Sequence, residues 1–170
     1  MSNIINEHIN KFKKKTNFLN KHNLIFLIII ALTFFLDRIS KTKIVNSLND
    51  QIYSVNDYLN IDLIWNIGIG FGLLSTNSSI FYNITTSIIG LVILILIYLS
   101  LLSKNLDKYI FALVIGGALG NFYDRLVFKA VPDFIDLHYA NFHWFTFNVA
   151  DIFISIGIIF FIIRGYFVRN

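Results

Sequence analysis

Cysteine is absent from the 170 residues, and proline and methionine occur once each. Without thiols there is no disulfide, no Cys-ligated zinc, no iron–sulfur cluster and no thiolate nucleophile. Charge is scarce as well: Asp, Glu, Lys and Arg make up 14% of the chain, against roughly 25% in soluble globular domains. Apolar residues fill the space instead. They account for 56% of the chain, eighteen Phe among them, and mean hydropathy is +0.67. So much apolar surface excludes a disordered chain and points to lipid as the solvent. The net charge of +4 is no nucleic-acid signature, because its distribution follows another logic.

A membrane-crossing helix needs about 20 mostly apolar residues. Four stretches qualify: 24–44, 80–102, 110–128 and 148–167. The first passes from Leu24 through Leu36 and on past Asp37 and Arg38. No small-residue cleavage site follows Leu36, so it reads as a retained helix rather than a signal peptide. Gly116, Gly117 and Gly120 in the third predict close helix packing. The expected fold is an all-α integral membrane protein. A basic tail, 1–23, precedes one four-span domain, 24–167. Between helices 1 and 2 a small extracytoplasmic β element is expected: Asn49-Asp50 and Asn56-Asp57 read as turns, and Ile61, Leu63 and Trp65 alternate around Asp62. In the tail, Ile4, Ile5, Ile9 and Phe12 have helical spacing, which fits a helix lying on lipid or a solvated topogenic segment.

Orientation follows from the basic residues. Lys11, Lys13, Lys14, Lys15, Lys21, Lys104, Lys108, Arg164 and Arg169 lie on one side, opposed only by Glu7 and Asp107. The other side carries five basic residues and eight Asp. The positive-inside rule makes both termini cytoplasmic.

Asp37 and Asp124 lie fourteen and fifteen residues into their spans, roughly 20 Å from the cytoplasmic boundary at 1.5 Å per residue. Asp151 opens the fourth span and Asp133 lies in the loop before it. Intramembrane acids are costly and mark function by default. Asp37–Arg38 and Asp124–Arg125 read either as pairs that neutralise one another and fix helix ends, or as parts of a site. Asp133 and Asp151 have no adjacent base and form a candidate carboxyl dyad. Asp136, taken as one turn beyond Asp133, reads as solvent-facing or supporting. His138 and His143, among Tyr139, Phe142, Trp144 and Phe145, resemble an interfacial aromatic belt; as metal ligands they would be an incomplete set.

Four motifs then coincide. Asp37-Arg38-Ile39-Ser40-Lys41, Asn66-Ile67-Gly68-Ile69-Gly70-Phe71, Gly117-Ala118-Leu119-Gly120-Asn121-Phe122-Tyr123-Asp124-Arg125 (followed by Val131-Pro132-Asp133-Phe134-Ile135-Asp136) and Phe147-Asn148-Val149-Ala150-Asp151 resemble, in order and spacing, those of the lipoprotein signal peptidases, signal peptidase II. The resemblance spans about residues 24–167. It implies an aspartic endopeptidase of the bacterial cytoplasmic membrane, active at the extracytoplasmic face. Such an enzyme removes signal peptides from diacylglyceryl-modified prolipoproteins, cutting before the lipidated cysteine. It implies Asp133 and Asp151 as catalytic residues. Asp37, Lys41, Asn66, Gly68, Asn121, Asp124, Arg125 and Asn148 are implied as substrate-binding or supporting residues. No metal or other cofactor is implied; the partners are prolipoproteins and membrane lipids, with the protein a monomer. Arg38 stands where the family usually has Gln, and Pro132 where it has Val. Pro132 biases Val131 to extended geometry.

A rival reading is a proton- or ion-coupled transporter using Asp37, Asp124 and Asp151 as a relay; another is a non-catalytic assembly factor, which leaves the two unpaired Asp unexplained. The charge asymmetry makes its own prediction. Cysteines introduced at Ser54 and Asn141 should react with a membrane-impermeant thiol reagent in intact spheroplasts, and one at Asn105 should not. Labelling at Asn105 in sealed cells would reverse the orientation.

Overall fold

The computed structural model describes residues 20–48, 51–68, 79–103, 105–140 and 142–169. The expected tail helix, the Asn49-Asp50 turn and the Gly70-Phe71 part of one motif lie outside the described residues. Among the described residues, four helices are long and apolar enough to cross a membrane. They are α1 (Lys21–Ser47), α2 (Ser79–Leu102), α3 (Asn105–Val127) and α4 (Val149–Arg169). Each span expected from hydropathy is present, and α1 runs through its charged segment to Ser47. At its start, the Asn20 side chain accepts from the Asn23 N–H at 2.8 Å. An intact helix is the low-energy route for polar residues in lipid, because it satisfies every backbone group internally.

Helix α3 is the centre of the bundle: half of its span is buried, against 11–17% for the other three. The buried residues of α1 are Phe26, Thr33, Asp37 and Lys41, a single stripe at helical spacing. That stripe meets the glycines of α3. A β-carbon on Gly116 would stand 2.9 Å from the Ile30 carbonyl, and one on Gly120 would collide with Asp37 Oδ2. On another face of α3, a β-carbon on Gly117 would stand 2.6 Å from the Ala150 carbonyl of α4. The glycines therefore bring α1 and α4 against α3 at backbone distance, as the sequence predicts. The outward surfaces stay apolar, with Leu32, Leu94, Ile162 and Phe167 all more than half exposed.

The β structure is larger than expected. It is a four-stranded antiparallel sheet, ordered β1 (Tyr53–Asn56), β2 (Leu59–Asn66), β3 (Val131–Tyr139), β4 (Phe142–Phe147). The first hairpin lies between α1 and α2, as expected, and turns at Asp57–Tyr58, where Asn56 Oδ1 accepts from the Tyr58 N–H. The second lies between α3 and α4, where the sequence suggested an aromatic loop. Thus the molecule is not all-α with one β element; both connections at this end of the bundle pair into one sheet. Strand β3 begins at Val131, the residue held extended by Pro132. Pairing of Ile64 with Asp133 and of Asn66 with Val131 fixes β3 beside β2. Strand β4 then runs straight into Asn148 and α4.

Candidate active site

The first N–H groups of a helix have no partner within it. At α4 they are met by a reciprocal cap. Asn148 Oδ1 accepts from the Asp151 N–H, and Asp151 Oδ2 accepts from the Asn148 N–H, both at 3.1 Å. This is a capping box with Asp in the place of the usual Glu. The next donor, Ala150 N–H, goes to Asp37 Oδ1 at 3.0 Å, a carboxylate 113 residues away on α1. Partial positive charge at a helix start favours each of these acids.

Asn148 has a further donor, and Nδ2 gives it to Asp133 Oδ1 at 2.6 Å. The other Asp133 oxygen accepts from Asn66 Nδ2 at 2.8 Å, and Asn66 Oδ1 in turn accepts from the Gly68 N–H. Asp151 Oδ1 accepts from Asn121 Nδ2 at 2.8 Å. Three asparagines from β2, α3 and the start of α4 therefore hold two carboxyls. Asp133 and Asp151 line one cavity of about 290 Å³ with Asn66, Asn121, Arg125 and Asn148. Its remaining wall is largely apolar, from Ile89 on α2 to Ile154 and Ile158 on α4. Burial pushes the Asp133 carboxyl up from 3.8 to about 6. The Asn66 hydrogen bond pulls it down, the Asp151 charge pushes it up again, and Asn148 and Lys41 oppose that rise.

Behind the cavity lies a buried ion cluster. Lys41 Nζ donates to Asp37 Oδ2 at 2.9 Å, Asn121 Oδ1 at 2.7 Å and Asp124 Oδ2 at 2.8 Å, using all three of its protons. Lys41 is 2% exposed, and Asp37 and Asp124 are fully buried. Arg38 completes the cluster: Nη2 donates to Asp124 Oδ2 at 2.8 Å, and Nη1 lies 2.5 Å from Asp124 Oδ1.

With this geometry the sequence comparisons can be placed. Residues 29–167 match the signal peptidase (SPase) II family. The chain belongs to the signal peptidase II family. It is 47% identical over 166 residues to the lipoprotein signal peptidase of Pelagibacter ubique (strain HTCC1062), covering 95% of this chain and 96% of that one. It is 38% identical over 148 residues to the lipoprotein signal peptidase of Anaplasma phagocytophilum (strain HZ), covering 84% and 92%. Among solved structures, an in meso structure of a bacterial membrane enzyme at 2.3 Å superposes with a TM-score of 0.71 at 30% identity, over 85% of this chain and 89% of that one. A second, at 1.9 Å, gives 0.62 at 28%, over 82% and 90%. The chain is a membrane peptidase.

Within this signal peptidase II chain the residues implied as catalytic, substrate-binding or supporting lie at the cavity or in the cluster behind it, with Gly68 bridging Asn66 and Arg125. Two readings of individual residues need correction. Asp124 and Arg125 do not pair with each other: Asp124 faces Lys41 and Arg38. Arg125 donates from Nη2 to the Gly68 carbonyl, lies over the Tyr82 ring and takes a hydrogen bond from the Tyr82 hydroxyl on its own carbonyl. Successive helix residues point about 100° apart, and here Asp124 is turned to α1 while Arg125 is turned to Gly68 and Tyr82. Asp136 is not solvent-facing. It is 1% exposed, accepts from Asn60 Nδ2 at 3.3 Å and lies 2.8 Å from His143 Nδ1.

Sequence reasoning missed Tyr82, Asn60 and the work of Arg38. A Tyr in the first turn of a span reads as an interface anchor, and nothing nearby marks it as a partner for α3. The corrected pairing makes a double-mutant test. The losses in thermal stability from Asp124→Ala and Arg125→Ala should add in the double variant. Those from Asp124→Ala and Lys41→Ala should fall short of additivity by about 0.5–3 kcal/mol. Coupling of Asp124 to Arg125 in detergent would restore the original pairing.

Proposed function

We propose that this signal peptidase is an aspartic endopeptidase of the bacterial cytoplasmic membrane. Its substrates are diacylglyceryl-modified prolipoproteins, cut just before the lipidated cysteine. Asp133 and Asp151 are the catalytic dyad. The observation that carries this reading is the cavity on which two carboxyls, Asp133 buried and Asp151 partly buried, converge through the shared Asn148. Two close carboxyls cannot both ionise readily, so the pair retains one proton, and the raised Asp133 supports that state.

The ionised carboxylate takes a proton from water as that water attacks the scissile carbonyl. The protonated partner donates to the carbonyl oxygen and forms the tetrahedral intermediate. The carboxyl that took the water proton then gives it to the departing amine while its partner takes a proton back from a hydroxyl of the intermediate, so the C–N bond breaks, the carbonyl reforms and the pair is reset. Asn66, Asn121 and Asn148 orient the carboxyls. Arg125, with Nε and Nη1 free of partners among the described residues, is placed to hold a substrate carbonyl. The apolar wall from Ile89 to Ile158 suits a signal peptide or acyl chain. No metal or other cofactor enters this chemistry. With both termini cytoplasmic, the sheet and cavity face outward, and the protein works as a monomer. The transporter reading is weakened, because Asp37 and Asp124 are committed to Lys41 and Arg38 rather than available as a relay.

Purified protein incubated with prolipoprotein should cleave the lipidated form and leave the unlipidated form intact. Asp133→Asn and Asp151→Asn should each lower turnover by at least about a hundredfold while remaining folded. Asp136→Asn should keep substantial turnover. Near-normal cleavage by either dyad variant removes that residue from the chemistry, and loss of all activity in Asp136→Asn means the wrong partner was chosen.

A further inference from the structure

Asn121 is the hinge between the buried ion cluster and the cavity, and its orientation is forced. An ammonium only donates, so the amide oxygen must face Lys41, which leaves Nδ2 to face Asp151. Lys41 can hold that oxygen only while it stays centred among three acceptors. Two of them are carboxylates, and one ammonium cannot neutralise both. Arg38 supplies the missing charge. It grips both oxygens of Asp124 and also donates to Asp37 Oδ2 at 3.2 Å. Two buried carboxylates thus face two cations. Arg38 itself does not line the cavity. Its side chain is 15% exposed and its guanidinium lies over the Tyr123 ring at 5.0 Å.

We propose that Arg38 is a positioning residue for the dyad: by holding Asp124 with both Nη groups, it leaves Lys41 centred to turn the Asn121 amide onto Asp151. The inference rests on the aspartic reading above. Removing Arg38 leaves a net negative charge in a buried cluster, which is costly. Lys41 is then drawn towards Asp124, and its bond to Asn121 loosens. Lysine at this position keeps the charge but cannot span both oxygens of Asp124.

The test compares wild type, Arg38→Gln and Arg38→Lys as full-length purified chains. It measures kcat and KM on a lipidated prolipoprotein and the melting midpoint without substrate. Arg38→Gln should lower kcat roughly 2- to 30-fold, the range for residues acting through a network, with KM unchanged. Arg38→Lys should lower kcat by a smaller factor, with KM again unchanged, because it restores the charge but not the hold on both Asp124 oxygens. Wild-type kcat in Arg38→Gln, or a lowered melting midpoint with kcat intact, overturns the proposal, as does a change confined to KM. If Arg38→Gln does not fold, Arg38→Lys decides alone: lower kcat at unchanged KM supports the proposal, and wild-type kcat overturns it. Failure of the aspartic reading is separate, since it would appear as turnover by Asp133→Asn whatever Arg38 does.

Discussion

The first turn of α4 begins inside the protein, and its N–H groups must be met there. The side chains that meet them define the site. Asn148 and Asp151 cap each other, Asp37 reaches across from α1 to Ala150, and the Asn148 amide still has a hydrogen to give to Asp133. One helix start therefore joins α1, β3 and α4, and Asn121 adds α3. The Asn-x-x-Asp spacing of residues 148–151 follows from the cap itself. Moving Asp151 by one residue would break the cap and displace the carboxyl together.

Such a cap puts acid where acid is expensive. Asp37 and Asp124 are fully buried, and each charge needs a partner of opposite sign. Lys41 and Arg38 provide it from one face of α1, and the glycines of α3 let that face approach. Among the described residues Asp133 has no such cation in contact; its donors are amides, and burial leaves it easier to protonate than an ordinary carboxyl. The fold therefore separates two populations of acid. The pair behind the cavity is neutralised by cations, while those at the cavity are held by hydrogen bonds.

Much of this was legible in the sequence. Hydropathy gave the four spans because a helix in lipid must be apolar over its whole length. Asp133 and Asp151 stood out because no base follows either of them closely. The second hairpin did not stand out. Phe142–Phe147 shows no clean polar alternation, and a run such as Phe-His-Trp-Phe reads equally as an interfacial belt. Missing the hairpin, whose first strand is β3, also misplaced Asp136. In a strand, residues three apart face opposite sides, so Asp136 turns away from Asp133 towards Asn60 and His143. The pairing of Asp124 failed for a similar reason: Asp37 and Lys41, four apart on a helix, do meet, whereas adjacent Asp124 and Arg125 do not.

The central claim is that one proton stays on the carboxyl pair well above the ordinary carboxylate range. Infrared difference spectra of the purified protein, titrated with and without Asp133→Asn, read that proton directly through the carboxylic C=O stretch. The band belonging to Asp133 should disappear with a midpoint of about 6. It should be absent in Asp133→Asn, and its midpoint should fall in Asp151→Asn, where the neighbouring charge is gone. A band lost near 3.8, or one that survives unchanged in Asp133→Asn, would contradict the account.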